Sequence, residues 1–96
     1  MSTVIATRVR SNLRGFTGVA HLWRLSPPVA HGGGLVDYVV TSATLAAYSG
    51  PETYIFPANP DGKVSDWGEM SGSYRGGLDH EQAIRNSGWL VEGDTP

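Results

Sequence analysis

His31-Gly32-Gly33-Gly34 is the first stretch whose residue types suit catalysis. Glycines behind a histidine can turn backbone N–H groups toward an oxyanion in acyl transfer. That chemistry needs a serine on a strand-to-helix elbow, G-x-S-x-G, and a later acid and histidine. No such elbow occurs: in Gly72-Ser73-Tyr74-Arg75-Gly76 the serine stands one place too early. The stretch reads instead as a glycine connection between two strands.

The histidines, His21, His31 and His80, lie far apart in the chain, unlike the close pairs of metal sites. There is no cysteine, which excludes disulfides, thiolate zinc sites and cysteine nucleophiles together. Asp79-His80-Glu81 sets two carboxylates around an imidazole, but a helix start accounts for both acids. Neither a dinucleotide fingerprint nor a Walker lysine is present. The chain therefore reads as non-enzymatic, with no catalytic residue, no cofactor and no metal.

Two groups of residues suit binding. Arg8, Arg10 and Arg14 fall within residues 1–17 and can touch phosphates. The first 48 residues hold four arginines against Asp37 alone, whereas the remainder holds three cations against eight acids. The overall charge of −2 and pI of about 5.8 oppose nucleic acid, so binding through this basic arm is the alternative function. The second group is Trp67, Met70, Tyr74 and Arg75, all within one glycine-rich loop at 66–76. Trp, Tyr, Met and Arg are the residue types enriched at the centres of protein interfaces. The leading expectation is a small protein-binding module that uses these four residues or a sheet edge. Its partner would be another protein or a second copy of itself.

These residues need elements to hold them. In residues 18–28 Val19, His21, Trp23 and Leu25 alternate with Ala20, Leu22 and Arg24, the pattern of a strand. Pro27-Pro28 is expected to stop it. Residues 35–48, with Val39-Val40-Thr41, form the strongest strand candidate, and residues 52–57 a third. Asn59-Pro60-Asp61-Gly62 is a reverse-turn sequence, leading to a short fourth strand at Lys63–Trp67. Over 79–88, Asp79 suits an N-cap and Gln82 completes a capping box. Arg85 suits the last turn, and Gly88 the left-handed residue past the end. The expected fold is α+β: an antiparallel sheet of three to four strands with one short C-terminal helix packed on it. Residues 1–17 are set apart as a basic mobile arm, 18–92 as a single domain and 93–96 as a solvated tail.

The first residues lack the apolar run of a signal peptide, and nothing approaches the ~20 apolar residues of a membrane span. A cytoplasmic protein with no membrane role is expected. The pieces Tyr54-Ile55-Phe56-Pro57, Asp61-Gly62-Lys63-Val64, Asp66-Trp67-Gly68-Glu69, Gly72-Ser73-Tyr74-Arg75-Gly76-Gly77-Leu78-Asp79-His80 and Gly88-Trp89 carry a resemblance. Around them, and from about Ala20 onward, the chain resembles small uncharacterised proteins encoded by bacteriophages of actinobacteria. The resemblance implies an accessory protein in the cytoplasm of an infected or lysogenic bacterium, acting on host or phage proteins. It implies no activity.

Overall fold

The computed structural model describes residues 4–16, 18–46, 50–68, 70 and 72–92. The elements in chain order are β1 (Ile5–Arg10), β2 (Val19–His31), β3 (Gly34–Ala46), β4 (Gly50–Pro57), β5 (Tyr74–Arg75), α1 (His80–Asn86) and β6 (Leu90–Val91). Six strands form one curled, half-barrel sheet in the order β5-β4-β3-β2-β1-β6. Neighbours run antiparallel except β1 and β6, where Ile5 and Ala6 pair in parallel with Leu90 and Val91. This overturns the expected α+β fold with three to four antiparallel strands: the protein is mostly β, its sheet is larger and it is mixed. The expected tail at 93–96 and Tyr48 lie outside the described residues.

The difference begins at β1. Residues 5–10, placed in an arm by their isolated apolar positions, form a strand paired with β2, and Ile5 and Ala6 pair with β6 as well. Ala6 is fully buried, while Arg8 lies over the Trp23 indole at 6.0 Å and Arg10 donates to the Asp61 carbonyl at 3.3 Å. A strand carries such residues when their stems cover apolar surface and their charged heads reach water. β2 also outruns its proline stop. Its register against β3 shifts between Arg24 and Val29, and Pro27-Pro28 fall in that irregularity, where the ladder needs no N–H from them. Pairing then resumes to His31↔Gly34, and Gly32 (φ 62°) and Gly33 (φ 82°) close a two-residue hairpin turn. The HGGG stretch is thus the β2–β3 turn.

Val39 and Val40 both have no exposed surface although they face opposite ways, so the sheet is covered on both sides. On one side Trp23, Leu25, Val39 and Ile55 pack beneath Ala83 and Ile84 of α1, with Met70 and Val91. On the other, Ala20, Leu22, Val40 and Ala58 pack beneath Leu13, Phe16 and Val64, which lie on connecting segments. Each large side chain buried in this way contributes about 1.5–3 kcal/mol.

The turn at 59–63 forms as expected: Gly62 (φ 90°) donates to the Asn59 carbonyl at 2.9 Å. The strand expected at Lys63–Trp67 reduces to one bridge, Ala58↔Val64. The α1 caps also form. The Asp79 carboxylate accepts from the N–H groups of Glu81 (3.0 Å) and Gln82 (3.2 Å), and Gly88 (φ 89°) follows the last turn. The reciprocal half of the capping box is replaced. Gln82 donates to Asn86 at 2.8 Å, and the Asp79 N–H donates to the Tyr74 hydroxyl at 3.0 Å.

Candidate functional site

The four expected binding residues do not form one patch. Met70 is 6% exposed and belongs to the core beneath α1, its N–H bound to the Ile55 carbonyl. Tyr74 is half-buried and used by its hydroxyl at Asp79. Arg75 is exposed but ion-paired at 3.4 Å with the buried carboxylate of Glu52, which also accepts from the Tyr54 hydroxyl. This cluster holds Arg75 protonated and pushes the Tyr54 phenol above its ordinary value through the Glu52 bond. Only Trp67 stands out, 66% exposed.

Trp67 lies on the side of the sheet opposite α1. Its ring meets Phe56 edge-on at 5.1 Å and Phe16 at 6.1 Å, and Phe56 stacks with Tyr54 at 6.0 Å. Strand alternation puts Tyr54 and Phe56 of β4 on one face beside Ser42 and Thr44 of β3. The segment between β1 and β2 brings Gly15 and Phe16 over the same face. Together they line an open groove of about 250 Å³ with an aromatic wall and a hydroxyl-bearing floor. Beside it, Arg10, Asn12, Leu13, Arg14, Asp61, Gly62 and Lys63 line a second open depression of about 420 Å³. The two share the 10–16 segment: Leu13 and Arg14 face the second, Gly15 and Phe16 the first. Sequence reasoning singled out Trp67 and the arginines but separated them, and it left Phe16, Tyr54 and Phe56 out of any site. The period-two set Glu52, Tyr54, Phe56 was the available signal.

A second cluster looks catalytic by distance alone. The Thr41 hydroxyl lies 2.7 Å from His80 Nδ1, a nucleophile-to-base separation, and accepts from Trp23 Nε1 at 2.8 Å. The His21 ring lies 4.2 Å from that of His80 and accepts from the Asn12 N–H at 3.2 Å. Thr41, however, has no exposed surface, and His80 Nε2 is buried with no hydrogen-bond partner among the described residues. No substrate reaches either atom, so the cluster is structural. The Asn12 bond also occupies His21 Nδ1 and places the ring proton on Nε2, which removes His21 as a neutral metal ligand through that atom. Among the described residues no group of three metal-ligating side chains converges. Burial, and then His21, lower the pKa of His80 to about 4; burial and Arg8 lower that of His21. His80, at the first position of α1, is thus half-buried against the sheet.

No family model, no curated protein and no solved structure matches the chain, so the resemblance to phage proteins gains no support from them. No helix among the described residues is long and apolar enough to cross a membrane.

Proposed function

We propose that this protein is a non-enzymatic binding module whose recognition surface is the aromatic face of the sheet opposite α1. The observation that carries this reading is Trp67: a large indole, two-thirds exposed, braced by Phe16 and Phe56 rather than buried among them. An aromatic ring held rigid at the surface loses little conformational freedom on binding and offers much contact area. The groove is open and small beside the roughly 300–1,000 Å³ clefts that enclose small molecules. A polymer lying across it is the better match. Action in the cytoplasm, on phage or host macromolecules, is part of the proposal.

The test is capture from a bacterial lysate by immobilised parent, Trp67→Ala and Leu35→Ala proteins. Leu35 is more exposed still, at the β2–β3 hairpin, and serves as the control. A macromolecule held by parent and Leu35→Ala but lost by Trp67→Ala supports the face. Equal retention by all three overturns it.

A further inference from the structure

We infer that the ligand of this face is single-stranded nucleic acid, an inference that rests on the aromatic face being the recognition surface. The argument is the juxtaposition of ring faces with unpaired cations. Arg10, Arg14 and Lys63 line the depression that adjoins the Trp67 groove. Among the described residues none of the three has a carboxylate within ion-pair reach. Arg24, exposed and paired across from Tyr38, extends positive charge along the same face by strand alternation. Of the nearby acids, Asp61 accepts from the Lys63 N–H at 3.1 Å and Asp66 from the Gly68 N–H at 2.9 Å in turns, and Glu52 is ion-paired with Arg75. Four of the chain's seven cations thus gather on one face of an acidic protein. On the α1 side Glu81 is paired with Arg85, and Arg8 lies over the Trp23 ring.

Cations beside an apolar aromatic wall select a ligand that is both anionic and flat-ringed. A protein partner satisfies the wall but has no reason to require the cations in this register. Single-stranded nucleic acid requires both: phosphates follow the positive track while unstacked bases lie on the rings. A duplex keeps its base faces stacked inside, so the rings have no base to stack on. The Ser42 and Thr44 hydroxyls, beside the rings, can bond base edges without demanding one sequence. The structure therefore points to sequence-tolerant recognition of a few nucleotides, with Trp67 as the stacking residue and Arg10, Arg14 and Lys63 as phosphate contacts.

The experiment is fluorescence anisotropy of labelled oligothymidylate, and of the matching oligo(dA)·oligo(dT) duplex, against the full chain at several salt concentrations. Expected is preference for the single strand and quenching of tryptophan emission. The slope of log K on log salt should be about −2, for three phosphate contacts at roughly −0.7 each. Trp67→Ala should weaken binding about tenfold or more and leave the slope unchanged. Arg14→Ala with Lys63→Ala should flatten the slope to about −0.7. Variants are compared only where circular dichroism melting matches the parent. Equal affinity for the duplex, or single-strand binding indifferent to Trp67, overturns the inference. Absence of single-strand binding at low salt overturns it too. If the lysate capture then still depends on Trp67 and survives nuclease, the ligand is a protein and the binding-module reading stands. If that capture fails as well, both fall.

Discussion

His80 Nδ1 and Thr41 Oγ1 lie 2.7 Å apart across the α1–sheet boundary, and the hydroxyl already accepts from Trp23 Nε1. With one lone pair taken by the indole, the hydroxyl keeps a second lone pair and its own proton for Nδ1, so it serves either tautomer of the imidazole. Protonating His80 would place a charge in a half-buried site beside the His21 ring, with Nε2 still without a partner among the described residues. That is the physical content of a pKa lowered to about 4.

Stability should therefore fall with acid. A histidine that titrates near 4 when folded and near 6.5 when unfolded takes up its proton first in the unfolded chain. The contribution is whole above about pH 6.5 and is lost as pH falls from there toward 4. His21 and Arg8 oppose the imidazolium and Asp79 favours it. Partial solvent screening keeps the loss at about 1–2 kcal/mol. His80→Phe should flatten this limb in denaturant titrations at pH 7 and pH 4.5; an unchanged acid limb would show that another group is responsible.

Thr41→Val tests the same contact from the other side. The isosteric change deletes the acceptor of Trp23 and the partner of His80 while filling the space. It should cost about 1–3 kcal/mol, since buried donors are left unmade. For a chain of this size that is a fall of several degrees in Tm. A neutral result would mean that the Trp23 N–H finds another acceptor.

The local chemistry of the chain was legible where it is local. Asp79 and Gly88 frame α1, and Asn59 to Gly62 make their turn, because each depends on neighbours a few residues away. What escaped is what distance along the chain decides. Ile5–Arg10 became a strand only because Leu90–Val91 and β2 lie on its two sides. Arg8 and Arg10 look like an arm until a ring and a carbonyl are brought beneath them. Phe16 and Phe56 are unremarkable apart and form one wall with Trp67 only after the sheet curls. Met70 has the composition of an interface residue, but the hydrogen bond of its N–H to Ile55 ties that part of the loop to β4 beside the core.

Two glycines should differ in a way that separates backbone strain from collision. Gly88 (φ 89°) has open space where a Cβ would stand, so Gly88→Ala should cost only about 1–2 kcal/mol, from the left-handed backbone. Gly72 (φ 105°) has the same strain, but its Cβ would meet the Ser87 hydroxyl and the Ala83 carbonyl at the end of α1. Gly72→Ala should therefore be the more damaging, by a further 1 kcal/mol or about that. Equal melting of the two variants would mean that the 72–76 segment lifts off the helix freely.

Trp67 and Met70 sit three residues apart and should behave as opposites. Met70 fills the core beneath α1 with Trp23, Ile55 and Ile84, and truncating it leaves a cavity that fixed neighbours cannot close. Met70→Ala should cost about 2–5 kcal/mol. Trp67 exposes two-thirds of its surface and meets the Phe56 ring edge-on and the Phe16 ring at a tilt. Such ring pairs are worth about 0.5–1.5 kcal/mol, so Trp67→Ala should melt within a few degrees of the parent. The contrast decides what the loop does. If Trp67→Ala unfolds the domain as readily as Met70→Ala, the indole is holding the second core together and the aromatic face is a packing surface. If only Met70→Ala does so, the fold leaves Trp67 in water without needing it there. Binding measured on the stable Trp67→Ala protein then reports the surface alone.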